Sequence, residues 1–208
     1  MGSMITELPD GVVVRRICTP EDVATWRAGF IGAYQTIFSG APYNERFYPS
    51  EAEGVYQKLT STANNVSLVA TRGIDEVVGF GIAIPLSAKE PVAKELTGLL
   101  PIAHTFYLAE LGVLERWRGR ALGRTLVRER LRLIDGARFS QVVLRVSIAH
   151  HSSIAMYRSM GFEEMGVYMD VSAMRTDGRV TSDRRQFLSA VVSQIRLDDD
   201  LDSMPTMS

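Results

Sequence analysis

The residues RWRGRALGRT, Arg116 to Thr125, bring Arg116, Arg118, Arg120 and Arg124 together with Gly119 and Gly123 between an apolar run and a helical pattern. The run FYLAELGV reads as a strand, and from Leu122 the apolar residues Leu126, Val127, Leu131 and Ile134 recur at helical spacing. The start of a helix carries unpaired main-chain N–H groups and the positive end of the helix dipole. Glycines there let a ligand approach the backbone closely, and this combination suits a phosphate or another compact anion. Basic side chains on the first turn of a helix oppose the dipole by about 0.3–1 kcal/mol each at exposed sites, so a merely solvated surface gains nothing from this placement.

Two phosphate-binding loops fail on spacing. A Walker loop needs four residues between its glycines and then Lys before Ser or Thr. Here Gly119 and Gly123 enclose Arg120, Ala121 and Leu122, and Arg124 stands in the place of lysine. A dinucleotide fingerprint needs three glycines after the first strand of a βαβ unit. The only approach to it, GFGIAI at Gly79, lacks the third glycine and continues as strand.

The composition narrows the rest. The 208 residues fit one ordinary domain, and the net charge of −1 excludes broad attraction to nucleic acid or membrane, so a basic site must be local. Cys18 is the single cysteine, and no Cys/His spacing forms a zinc site, so neither a metal nor an internal disulfide is expected. No apolar run is long enough to span a bilayer and no secretory layout opens the chain. These features lead to the expectation of a cytoplasmic protein. Residues 1–4 read as a cloning remnant rather than a myristoylation signal, residues 5–196 as the domain, and residues 197–208 as an acidic flexible tail.

The elements that position the arginine corner read as follows. Strands are expected at Val12–Ile17, Ser67–Thr71, Val77–Ile84, Phe106–Leu114, Gln141–Ile148, Val167–Met174 and Val180–Val192. Helices are expected from Pro20 to about Phe38, on to Leu59 after a turn, from Leu122 to Gly136, and at Ser152–Met160, with a long connection over 85–103. Thr176-Asp177-Gly178 reads as a hairpin turn.

LGVLERWRGRALGRTLV resembles the acetyl-CoA-binding motif of the GCN5-related N-acetyltransferases, which runs Arg or Gln, two residues, Gly, one residue, then Gly or Ala. Arg118 fills the first position, Gly123 the last, and Ala121 stands where the family has its inner glycine. HHSSIAMYRSMGF resembles a second segment of the same family, with Tyr157, Gly161 and Phe162 in register, His150 replacing an asparagine and Ser153 an alanine. The resemblance implies a single α/β domain on a mixed, mostly antiparallel sheet, with a splayed central strand pair and flanking helices. It implies acetyl transfer from acetyl-CoA to a primary amine by direct transfer in a ternary complex.

For the site it implies that Leu111, Gly112 and Val113 pair with the pantetheine arm, the N–H of Leu111 facing the thioester oxygen. Amides from Arg118 through Gly119, Arg120, Ala121 and Gly123 to Arg124 would hold the pyrophosphate, with Arg120 or Arg124 reaching the remaining phosphate. His150 would line the cofactor channel, and Tyr157 would protonate the departing thiolate. Glu110, an acid within an apolar strand, is a costly residue to bury without a task, and it is the leading general base. Among Trp26, Tyr34, Phe38, Tyr43 and Phe47, Tyr34 and Tyr43 lie nearest a turn and are the expected acceptor contacts.

The acceptor class favoured is a small-molecule amine; a protein N-terminus or lysine is the alternative within the same chemistry. From another class, Ala121 and His150 leave open a non-catalytic acyl-CoA-binding sensor. An exposed sheet edge also fits a homodimer.

Overall fold

The computed structural model describes residues 3–197. Its frame is one eight-stranded sheet in the order β1-β2-β3-β4-β5-β6-β8-β7. The strands are β1 (Met4–Glu7), β2 (Val12–Ile17), β3 (Val66–Arg72), β4 (Glu76–Pro85), β5 (Thr105–Val113), β6 (Gln141–Ser147), β7 (Glu163–Met174) and β8 (Val180–Val191). All neighbours are antiparallel except β5 and β6. The helices are α1 (Pro20–Ser39), α2 (Pro49–Thr60), α3 (Glu90–Leu96), α4 (Leu122–Arg132) and α5 (His151–Ser159).

Local chemistry explains the boundaries. Thr19 and Asp22 form a reciprocal capping box at the start of α1, with Pro20 at its first position. Along β4, side chains alternate between faces: Phe80 packs on Phe30 and Tyr34 of α1, while Gly79 and Gly81 leave room for Leu126 and Arg130 of α4. The glycine pair in GFGIAI therefore admits a helix rather than a nucleotide. Apolar side chains of α1 and α2, with Leu122 and Leu126 of α4, join β2–β5 in one cluster, and Val127 and Leu131 of α4 join those of α5, β5, β6 and β8 in another.

The strands β5 and β6 run parallel and pair only at Thr105–Tyr107 against Gln141–Val143. Beyond that point no cross-strand partners join them, so the sheet opens in its middle. A bulge at Ala109 helps: Ile82 faces Glu110 and Ala83 faces Leu108, leaving one extra residue on β5.

Several elements differ from the sequence reading. A strand at Met4–Glu7 pairs with β2 and uses only one alternation of apolar and polar residues, too short a pattern to detect. The connection after β4 contains a full helix, α3, started by Glu90 and Pro91. Strand β7 begins at Glu163, four residues before the apolar alternation from Val167, and β8 inserts between β6 and β7. The acidic stretch from Asp198 onward lies outside the described residues.

Candidate active site

The opening between β5 and β6 leads into a groove of about 670 Å³. Leu111, Gly112 and Val113 form one wall, and the corner from Trp117 to Arg124 forms the floor. The third side is the start of α5, with His150, Ser152 and Ser153. Two helix N-termini thus face the same space. In α4 the first amide to find a main-chain acceptor is that of Thr125, on the Ala121 carbonyl at 2.9 Å; in α5 it is that of Ile154, on His150 at 3.0 Å. The amides before each belong to the open set at any helix start.

Ala121 caps α4 in the left-handed region, with φ at 59°, and Gly119 sits at 74°. The path of the corner therefore depends on two departures from ordinary backbone on either side of Arg120, one of them carried by an alanine that has a Cβ to accommodate. Gly112 has a separate reason to be glycine: a Cβ there would lie 2.4 Å from Cζ of Phe80, its cross-strand partner.

The four arginines separate. Arg116 pairs with Glu76 at the surface. Arg118 donates from Nε to the Val113 carbonyl at 3.2 Å and from Nη1 to the Ala41 carbonyl at 2.9 Å, tying the corner to the loop between α1 and α2. Arg120 turns to Asp10, 3.2 Å away, and lies over the Trp117 ring, outside the groove lining. Arg124 lines the groove and donates to the Ser159 hydroxyl at 2.8 Å.

At its inner end the groove shares Tyr43, Leu111, His150 and Ser153 with a cavity of about 90 Å³ that Glu110 and Tyr157 both line. Burial pushes the Glu110 carboxyl above the usual carboxylate range, against the pull of Lys89, Arg185 and Arg145. Tyr157 is buried at 5% exposure, and its phenol is raised by burial while Arg130 opposes the rise. His150 is half-buried, meets the Tyr43 ring edge-on at 4.7 Å, and is pushed below its ordinary value by burial. Tyr43 itself is raised to about 12, mainly by burial.

Tyr34 does not line this cavity. It is 4% exposed and packs on Phe38, Phe47 and Phe80, because the helical spacing of α1 that brings Phe30 and Phe38 onto the sheet carries Tyr34 with them. Cys18 lies away from both cavities, its thiol raised by partial burial and by the Asp22 carboxylate.

The structure adds residues that sequence spacing does not reveal. Buried Glu45 accepts from Arg185 Nη2 at 3.1 Å and Arg175 Nη1 at 3.4 Å. Arg185 Nε donates to Asp183 at 3.0 Å, and Ser147 donates to the same carboxylate at 2.7 Å. This network ties the α1–α2 loop to the β7–β8 hairpin beside the inner cavity, helped by main-chain bonds from Arg46 to Met174 and from Thr176 to Asn44. Only the unusual density of charge in β8 hints at it in the sequence. No cluster of His, Cys, Asp and Glu suited to a metal ion occurs among the described residues.

The family model described as Acetyltransferase (GNAT) family matches residues 31–162. The chain belongs to this family. It is 32% identical over 97 residues to N-acetyltransferase family 8 member 3 of Rattus norvegicus, covering 46% of this chain and 39% of that protein. It is 40% identical over 57 residues to the N-alpha-acetyltransferase RimI of Mycobacterium tuberculosis, covering 27% of this chain and 34% of that one. These alignments therefore span well under half the length of each curated relative. In fold, it is similar to Arabidopsis thaliana NAA60 in complex with acetyl-CoA, with a TM-score of 0.61 at 19% identity over 88% of this chain and 99% of the other. The GNAT fold accounts for the opened β5–β6 pair at the centre of the sheet. No helix among the described residues is long and apolar enough to cross a membrane.

Proposed function

We propose that the protein is an N-acetyltransferase that moves an acetyl group from acetyl-CoA to a primary amine of a small molecule by direct transfer in a ternary complex. The observation that carries this reading is the convergence of Glu110 and Tyr157 on one small cavity at the inner end of a groove walled by two helix N-termini. The groove volume, its open amides and the unobstructed Gly119 suit the pyrophosphate and pantetheine of coenzyme A. Leu111–Val113 offers the unpaired edge of β5 to the pantetheine, and Gly119–Arg124 with the α5 start offers N–H groups to the pyrophosphate.

In this reading Glu110 takes a proton from the incoming ammonium, directly or through water. The neutral amine attacks the thioester carbonyl, whose developing negative charge falls to the Leu111 N–H. As the C–S bond breaks, Tyr157 gives its proton to the sulfur, and the proton released from the amine nitrogen restores the phenol. Tyr43 and His150 line the passage between donor and acceptor. Arg124 is the groove-facing arginine suited to a phosphate, since Arg120 is committed to Asp10.

A protein α-amine is the second reading, favoured by the 40% identity to an N-alpha-acetyltransferase. The presence of both proton-transfer groups in the inner cavity speaks against a sensor without turnover. Thiol release from acetyl-CoA with spermidine, free amino acids, an alanine-initiated peptide and an N-blocked lysine peptide separates these readings. Release with the first two supports the small-molecule acceptor, and release with the alanine peptide alone supports the second. Coenzyme A binding with no amine-stimulated release across the panel overturns the enzymatic reading.

A further inference from the structure

Arg130 is the largest fully buried side chain of the protein, at 0% exposure, and no step of the reaction above uses it. Burying a guanidinium without a carboxylate partner is costly, so its surroundings ought to explain it. They are specific. Its Nε donates to the Leu126 carbonyl at 3.1 Å within α4, and its Nη1 donates to the Ile82 carbonyl at 3.1 Å and the Glu110 carbonyl at 2.9 Å. Ile82 and Glu110 face each other at the bulge that opens β5 from β6. Gly81 is shaped around the same side chain, since a Cβ there would lie 2.8 Å from Nε. The remaining nitrogen, Nη2, is buried and makes no hydrogen bond of ordinary geometry.

The guanidinium is within hydrogen-bonding reach of the Tyr157 hydroxyl, and its charge and donation oppose the rise of the phenol. We propose that Arg130 is a positioning residue for the reaction: it clamps the bulge from which Glu110 projects and keeps its guanidinium beside the Tyr157 oxygen, where its hold strengthens as that phenol gives up its proton. This rests on the acetyltransferase reading. A donation from a cation to a phenol strengthens as negative charge appears on the oxygen, so its stabilisation belongs to the transition state more than to the ground state. No bond to Arg130 forms or breaks; the proton passes from the Tyr157 oxygen to sulfur, and the guanidinium keeps its charge throughout.

Other charged and titratable groups face the same cavity: Tyr43 from the α1–α2 loop, Glu110 from β5, Arg145 from β6, His150 before α5, and Asp183 and Arg185 from β8. Arg130 differs from them in approaching from behind, through α4 and the sheet.

The test compares Arg130→Lys, Arg130→Met, Tyr157→Phe and the Arg130→Met/Tyr157→Phe double variant, with thiol release from acetyl-CoA measured against pH using the amine of the above panel that gives the fastest release and, separately, water as acceptor. Arg130→Met is expected to lower kcat about 10–100-fold while KM for acetyl-CoA changes by less than about threefold. The alkaline limb of its kcat profile should move to higher pH, because removing the cation raises the phenol further. Arg130→Lys should recover part of the loss, and the double variant should lose clearly less than the product of the two single losses. Should Arg130→Met fail to fold, Gly81→Ala displaces the guanidinium without removing it and should show the same shifted limb. An unmoved alkaline limb with losses that multiply in the double variant overturns the proposal and leaves the reading of Tyr157 standing. Full activity of Tyr157→Phe overturns that reading and the proposal together.

Discussion

The two ends of the groove are built on different principles. At the outer end, the corner from Arg118 to Arg124 and the start of α5 meet the space with main-chain N–H groups, while the arginine side chains are largely engaged elsewhere. At the inner end the groups are side chains from distant parts of the chain, Tyr43, Glu110, Asp183 and Arg185 among them, assembled only when the sheet closes. Backbone recognition reads a feature common to coenzyme A esters and is fixed by a short local stretch. Side-chain recognition is free to vary with the acceptor, and it depends on the whole topology.

This contrast can be broken first at the inner end. Tyr157→Phe removes the proposed acid and nothing of the groove floor, so kcat should fall by about 10²–10³-fold with coenzyme A affinity kept, as measured by steady-state kinetics and calorimetry. Glu110→Gln should lower kcat by about 10-fold or more and erase the acid limb of the kcat/KM profile. The base acts deprotonated and burial raises its pKa, so in the native protein the rate climbs with pH through a midpoint above the ordinary carboxylate range.

The network beside the cavity gives the next effect. Glu45→Ala takes the shared carboxylate from Arg185, which keeps Asp183, and from Arg175, which keeps the Tyr43 carbonyl; chemical denaturation should show a loss of about 1 kcal/mol, together with a raised KM for the acceptor and an unchanged KM for acetyl-CoA. The smallest effect is expected at the outer end. Ala121→Gly relieves a left-handed alanine but frees the unfolded chain, which offsets part of the relief, for a net gain of about 0.5–1 kcal/mol in thermal or chemical unfolding.

The same contrast decides what could be read from the sequence. The motif around Arg118 and Gly123 and the register of Tyr157 before Gly161-Phe162 are local patterns, and both segments line the groove. Periodicity also located α1 and the inner strands to within a residue or two and the start of α4 at Leu122, although α4 ends at Arg132, four residues before the expected Gly136. Tyr34 and Arg120 show the limit: residue type and neighbourhood suggested ligand contacts, but the helical phase of α1 sent the first into the aromatic core, and Asp10, over a hundred residues away, engages the second. Glu45, Arg130 and Arg185 left no local signal, because each acts through partners brought in by β4, β5 or the β7–β8 hairpin. The short β1 had too few residues to show a period.

The outer groove is expected to hold coenzyme A through its backbone. Amide resonances followed by NMR while coenzyme A is added test it most directly. The largest shifts should fall on the N–H groups of Gly119–Arg124 and His151–Ser153, with the guanidinium signal of Arg120 unmoved. Shifts confined to arginine side chains, with those amides unchanged, would contradict it.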